Sequence, residues 1–340
     1  MASRSFIDTH IHVIPNSYRD AIAAAGGDPS GFPVPSWSIG TCLEFVNSVD
    51  IQHAVLSVTS PGPSIAGNGI EGRALARTLN DEVATIADNN PGRISFFAST
   101  PDWTDVQGTL DELDYIFSTQ KKALGVIVMT TYGDRLLGDA LFQPIWKKLD
   151  DYKAIVFIHP TWYDIKPKYI AGNLPQPLIE YPFGTTRTAA DLLMTGRFGQ
   201  CPNIDIILSH AGGVLPYLAT RLSAILLAKP FSSDGGKTVV TMDDFQQNLK
   251  RFYMDLALSG SLPQLEALIA FESTDRLLFG SDYPYASVPG SKLNTASLVT
   301  YAQNNPKGHL VNASKLTNNT LALFKKHGFD LGSFNSSSSL

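Results

Sequence analysis

The run Phe6-Ile7-Asp8-Thr9-His10-Ile11-His12-Val13 mixes aromatic and β-branched residues and ends in two histidines one residue apart. Those residue types predict a strand, and a spacing of two puts His10 and His12 on one face of it. An open doubly wound sheet that binds a nucleotide follows its first strand with GxGxxG or a P-loop. Neither occurs: this strand ends in imidazoles, and Gly26-Gly27 and Gly212-Gly213 fit neither pattern. Working outward, further apolar runs predict strands at His53–Val58, Arg93–Ser99, Leu124–Met129, Ile155–His159, Ile204–His210, Phe252–Leu256 and Arg276–Ser281. Between them lie residues with helical spacing. Examples are Leu75, Leu79, Val83 and Ile86, then Leu141, Ile145 and Leu149, then Leu262, Leu265, Leu268 and Ile269. Thr104 or Asp105 is placed to cap a helix through Leu110, Leu113 and Ile116. Strands alternating with helices and no nucleotide motif select an α/β fold of the (β/α)8 TIM-type, distorted by long loops at its C-terminal mouth.

At 340 residues the chain is long enough for two domains by size alone, but one barrel uses the same length. No repeat and no linker divides it. The expectation is a single barrel domain over 1–330 and a flexible Ser-rich tail over 331–340. The long irregular stretches are Pro15–Ser38, Thr161–Gly184 and Lys229–Thr241. A formal net charge of −5 without any long basic run argues against nucleic acid or an anionic membrane as partner. Cys42 and Cys201 form no CxxC and read as two reduced, buried thiols. The N-terminus lacks the apolar core of a signal peptide, and no apolar run reaches membrane-spanning length. The C-terminal Ser-Ser-Leu has serine where a peroxisomal tripeptide has lysine. The expected location is the cytoplasm.

His159 ends the fifth predicted strand, His210 ends the sixth, and Asp282 follows the eighth. Taken singly, each reads as a core histidine or a loop residue. Together with His10 and His12 they arrive at one mouth from four strands, where barrel active sites sit. His53, His309 and His327 have no such context and read as structural or exposed. Three neutral imidazoles and one carboxylate suit one divalent ion, zinc first and manganese second. The predicted fourth strand offers no lysine to bridge a pair of ions, because Lys121 and Lys122 precede it.

The order HxH, His, His, Asp on these strands resembles the amidohydrolase superfamily. Ser209-His210-Ala211-Gly212-Gly213 with Leu215-Pro216-Tyr217, and Gly280-Ser281-Asp282-Tyr283-Pro284, resemble its aminocarboxymuconate-semialdehyde decarboxylase-like branch. From about Phe6 to Phe324 the chain is most similar to the fungal 6-methylsalicylate decarboxylases of that branch. The resemblance implies that His10, His12, His159 and Asp282 bind the metal and that His210 is the catalytic imidazole. It implies a homodimer in which Arg221, eleven positions after His210, reaches the neighbouring site; a helix-face salt bridge is the equal alternative. That branch clamps a second carboxylate with an arginine on the helix after strand one, whereas Ile39–Asp50 has no basic residue. The departure points to a monocarboxylate. Some phenolic-acid decarboxylases of the superfamily carry Glu at the positions of His10 and Gly213.

The implied reaction is non-oxidative decarboxylation of a small ortho-hydroxy aromatic acid, 6-methylsalicylate to 3-methylphenol (m-cresol) and CO2, in fungal polyketide metabolism. Asp282 is the candidate proton carrier, and His210 orients the substrate, relays the proton or, in a water-activating variant, deprotonates water. Phe32, Trp37, Trp162 and Tyr285 are candidate walls of a flat apolar pocket, although each taken singly reads more readily as a loop anchor. Arg187 could meet a carboxylate. The competing reading is a metal-dependent amidohydrolase or lactonase acting on a small cyclic or aromatic substrate.

Overall fold

The computed structural model describes residues 6–271 and 273–331. The tail expected over 331–340 lies outside the described residues apart from Leu331, which is buried. Eight parallel strands form one sheet in sequence order: β1 (Phe6–Val13), β2 (Ile51–Val58), β3 (Ile94–Ser99), β4 (Ala123–Met129), β5 (Ile155–His159), β6 (Asp205–Leu208), β7 (Tyr253–Asp255) and β8 (Leu277–Leu278). A short antiparallel ladder, Thr131–Tyr132 with Arg135–Leu136, follows β4 outside this sheet. Seven neighbouring pairs are laddered, from β1–β2 round to β7–β8. Across the remaining gap Asp8 and Phe279 form one parallel bridge, and the Thr9 amide donates to Phe279 O at 3.0 Å. The sheet is therefore a nearly closed barrel whose one seam, between its first and last strands, is held by a single bridge and separate hydrogen bonds instead of a ladder.

The strands read as they do because helices cover them. Every residue of β4 (Ala-Leu-Gly-Val-Ile-Val-Met) is buried, the continuous apolar pattern of a parallel strand covered on both sides. Helix α1 (Asn16–Ala24) lies in the stretch expected to be irregular, Pro15–Ser38, and buries Tyr18 and Ile22. Its apolar residues are too few and too widely set among alanines to stand out as a period. Helix α2 (Ile39–Ser48) opens with a capping box between Ser38 and Thr41. Helix α3 (Ile70–Asp88) buries Leu79 and Val83, one turn apart, against β3. Each such side chain contributes about 1.5–3 kcal/mol on leaving water. Asp105 caps α4 (Val106–Thr119) by accepting the Gly108 amide at 3.1 Å. Helices α5 (Gln143–Asp151), α6 (Glu180–Met194), α7 (Leu215–Ser223), α8 (Met242–Leu249), α9 (Leu262–Phe271), α10 (Val288–Asn304) and α11 (Ala313–Lys326) complete the outer layer. No helix among the described residues is long and apolar enough to cross a membrane. Cys42 and Cys201 are free and buried, and burial pushes both thiols up, to about 12 and about 11.

Two sequence expectations shift by local geometry. The sixth strand stops at Leu208, and His210 sits beyond it in a tight turn, His210–Gly212. The eighth strand keeps only Leu277 and Leu278, because the following chain bends to cross the seam.

Candidate metal centre

The C-terminal ends of β1, β5 and β8 bring His10, His12, His159 and Asp282 together, with ligand atoms all within 4.8 Å of one another. His10 Nε2 and His12 Nε2 stand 3.2 Å apart, and Asp282 Oδ1 lies 3.1 Å from the latter and 3.4 Å from the former. The sequence places these residues by simple means. His10 and His12 share a pleat face of β1, His159 is the last residue of β5, and Asp282 lies just past the seam. There the Ser281 and Asp282 amides both donate to His10 O, at 3.1 and 2.8 Å.

The second nitrogen of each ring settles which one points inward. Nδ1 of His10 donates to Asp255 Oδ2 (2.9 Å), that of His12 to Ser57 O (3.2 Å) and that of His159 to Pro160 O (2.7 Å). These partners only accept, so Nδ1 carries the proton and each Nε2 lone pair faces the centre. Lone pairs of two imidazoles 3.2 Å apart beside a carboxylate require positive charge between them. In the metal-free protein that charge is a proton. Burial opposes it, but Asp255 and Asp282 outweigh burial and push His10 up to about 10. Burial, then the charge on the other histidines, holds His159 well below its usual value. Burial opposes the charge on Asp282, but the adjoining imidazoles of His10 and His12 outweigh it and hold the carboxyl well below its usual range. The donor set therefore fits a dication. The ligand atoms, all within 4.8 Å of one another, would have to draw together by about an ångström to hold a zinc ion at about 2.0–2.2 Å each. Lys122, before β4, donates instead to Ala87 O (3.0 Å) at the other end of the barrel.

His210 stands beside this cluster, its ring centroid 4.8 Å from that of His10 and 6.1 Å from that of His159. Its Nδ1 donates to Ala257 O at 3.3 Å, which again leaves Nε2 open. Burial, with the charge of His10 second, lowers its pKa. His210, Ala211 and Asp282 all have left-handed backbones (φ +53°, +56° and +57°). Such non-glycine residues cost about 1–3 kcal/mol each and persist where surrounding bonds over-determine them. The turn continues through Gly213 (φ +67°), where a Cβ would lie 2.0 Å from Pro182 O. No glutamate fits at that position without moving α6.

Above the cluster lies a cavity of about 680 Å³ whose floor includes His159, His210 and Asp282. Its walls are largely apolar, with Phe32, Leu178, Tyr181, Val214, Leu258 and Tyr285 among them. Of the four aromatic residues expected there, Phe32 and Tyr285 line it, 5.8 Å apart between ring centroids. Trp37 instead packs against the core, and Trp162 lines a second cavity with Arg187, whose guanidinium lies 5.6 Å over the Tyr163 ring. Neither tryptophan lies in the first cavity, and loop residues carry no periodicity from which sequence could read that. Arg221 is exposed on α7. His53 bonds Ser95 Oγ (2.7 Å), and His327 bonds Asp205 (2.8 Å), structural roles as expected for both.

Three polar groups at the site were not anticipated from the sequence. Asp255 on β7 contacts both His10 and the His210 amide. Its signal was present: a single acid inside the apolar run Phe252–Leu256 must be paired when buried. Asp8, fully buried, accepts the His10 and Ser281 amides at 3.1 Å each, and burial pushes it up to about 7. Asp28 joins Ser30 and Ser60 in the cavity wall, and burial raises its carboxyl.

A family model described as amidohydrolase matches residues 7–299. Decarboxylase macB of Penicillium terrestre is 41% identical over 293 residues, covering 83% of this chain and 85% of that protein. The 6-methylsalicylic acid decarboxylase acuB of Aspergillus aculeatus is 38% identical over 323 residues, covering 94% and 96%. The solved structure of 5-carboxyvanillate decarboxylase from Novosphingobium aromaticivorans, complexed with manganese and 4-hydroxy-3-methoxy-5-nitrobenzoic acid, shares the fold. Its TM-score is 0.77 at 20% identity, over 94% of this chain and 96% of that one. With a strand-end histidine–aspartate cluster in a nearly closed barrel and a family match over most of its length, this chain belongs to the amidohydrolase family.

Proposed function

We propose that this metal-dependent decarboxylase of a small aromatic carboxylic acid acts on 6-methylsalicylate, yielding 3-methylphenol and CO2. The observation that carries the reading is the position of His159 and Asp282 of the cluster, with His210, at the floor of a largely apolar cavity walled by Phe32 and Tyr285. That combination suits a flat ring with one charged edge. The likeness to a fungal 6-methylsalicylic acid decarboxylase supports the same substrate.

His10, His12, His159 and Asp282 would hold one divalent ion, zinc before manganese, although the relative from Novosphingobium carries manganese. When bound, it supplies a Lewis acid that acidifies the ortho hydroxyl and keeps it in register with the carboxylate. The proton steps fall to the chain. Asp282 is the candidate carrier that accepts the phenolic proton, and His210 Nε2, left open by the Nδ1 bond to Ala257 O, orients the substrate or relays that proton. The carrier then delivers it to the ring carbon bearing the carboxylate. That carbon becomes tetrahedral, the bond to the carboxylate breaks, CO2 leaves, and the electron pair restores the ring. A solvent proton regenerates the phenol. The apolar walls keep water from competing at the carbon.

In this reading residues 1–330 form one domain of a cytoplasmic enzyme that works as a homodimer in fungal polyketide metabolism. Arg221 of each copy reaches towards the neighbouring site. Exposed Tyr217, on the same helix and at the cavity rim, is suited to that contact. The test is to supply metal-loaded protein with 6-methylsalicylate and a panel of salicylates, measuring CO2 and the phenol. Stoichiometric release with 6-methylsalicylate preferred is expected. No release, with lactone hydrolysis by the same preparation, would move the assignment to a hydrolase.

A further inference from the structure

We propose that Asp255 is a positioning residue that locks the metal ligand His10 and the catalytic imidazole His210 to one another. The proposal rests on the metal-centre reading above. Asp255 ends β7 with its side chain wholly buried, so its carboxylate meets protein groups alone. Oδ2 accepts from His10 Nδ1 at 2.9 Å. Oδ1 accepts two amides, those of His210 at 3.1 Å and Ala257 at 3.0 Å. Ala257 O in turn accepts from His210 Nδ1 at 3.3 Å, so the backbone and the ring of His210 are tied to the same short turn.

One carboxylate thus performs two tasks with its two oxygens. Through Oδ2 it fixes the tautomer and orientation of His10. Through Oδ1 it holds the left-handed backbone of His210 and the turn that orients its ring. Room for this is made by Gly280, where a Cβ would lie 2.8 Å from His10 Cβ and 3.2 Å from Asp255 Oδ1.

The requirement is for a carboxylate, not for a polar group of that shape. Three N–H donors converge on two acceptor oxygens. Asparagine has the same outline but one acceptor, so in either orientation its amide N–H2 faces a donor. Asp255→Asn is therefore isosteric and mismatched.

The experiment measures two quantities on wild type and Asp255→Asn. The first is zinc affinity by chelator competition, with no substrate present. The second is kcat and KM for 6-methylsalicylate at saturating zinc. The expected result is a 10–100-fold loss of zinc affinity, the usual cost of removing the outer partner of a ligating histidine. At saturating zinc, kcat falls by about tenfold or more while KM changes little, because the mispositioned group acts in chemistry. In a His210→Ala background the kcat effect disappears and the affinity effect stays. Asp205→Asn, a buried carboxylate at the other end of the barrel, moves neither quantity.

Zinc affinity of Asp255→Asn within twofold of wild type, with zinc bound by wild type, overturns the lock alone. Wild type that binds no divalent metal overturns the metal-centre reading and the lock with it. A measurement that needs no variant is the imidazole nitrogen spectrum of histidine-labelled, zinc-loaded wild type. His10 and His210 are expected with Nδ1 protonated, and a His10 protonated at Nε2 overturns the proposal even if Asp255→Asn does not fold.

Discussion

Two buried histidine–aspartate pairs sit at opposite ends of the same barrel and behave differently. At the end away from the mouth, His327 donates to Lys153 O (2.6 Å) and to Asp205 Oδ2 (2.8 Å), while Lys326 Nζ meets the same oxygen at 2.6 Å. Both ring nitrogens are used, the carboxylate is neutralised, and the group fastens the end of α11 to the start of β6. At the mouth, His10, His12, His159 and His210 each spend Nδ1 on a protein acceptor, and the Nε2 atoms of His10 and His12 face one another and Asp282. The lone pairs left over are the site. A histidine's use in a fold is thus read less from its neighbours than from what those neighbours leave unsatisfied.

The sharpest way to break this contrast is to remove a group from each end. His12→Ala or Asp282→Asn should abolish stoichiometric metal binding and take decarboxylation below detection, as shown by metal analysis with a CO2 assay. His210→Ala should keep the metal and lower kcat by about 10²–10⁴-fold, the span of a lost general acid–base group. Loss of metal in that variant would place His210 among the ligands instead.

Proton linkage separates the ends next. In the metal-free protein the raised pKa of His10, about 10, means that its pairing stabilises the fold fully below its unfolded value of 6.5. That contribution fades as pH rises through about 10. A bound dication must displace the proton, so metal affinity should rise about tenfold per pH unit around pH 7. Calorimetry in buffers of different ionisation enthalpy should find about one proton released per ion.

The smallest effect belongs to the far end. Burial opposes the charge on Asp205, but hydrogen bonds from His327 and Lys326 prevail and lower its pKa. Its contribution is therefore present above the unfolded value of 3.8 and is lost as pH falls through the folded one. Asp205→Asn should cost about 1–3 kcal/mol, a few degrees in Tm, without changing metal affinity or kcat.

Much of this was legible in residue order. All eight strands are legible to within a few residues, because buried parallel strands write themselves as short apolar runs. The cluster was legible because His10 and His12 share a pleat face and the remaining groups fall at strand ends. What escaped has common physical causes. Helix α1 hid among alanines and glycines, and its packing is decided by α3, far along the chain. Asp255 is not legible as a site residue because a lone acid acquires meaning only through partners 45 and 245 positions away. Trp37 and Trp162 stand away from the first cavity because loop direction depends on contacts that local sequence does not encode. Gly213 is the converse case. The sequence showed only a missing side chain, whereas its contact with Pro182 O explains why none can be added.

The seam between β1 and β8 has a bearing on how the barrel stays shut. His12 and Asp282, 270 positions apart, meet across the one junction that lacks a hydrogen-bonded ladder. An ion gripping both would act as a clasp, joining the beginning of the chain to its last strand and offsetting the loop-closure entropy of nearly the whole polypeptide. Loading the centre should then quiet the backbone beyond the ligands. Amides of Thr9, Phe279 and Ser281 would gain the most protection from solvent exchange, and the fastened β1 and β8 would open together or not at all.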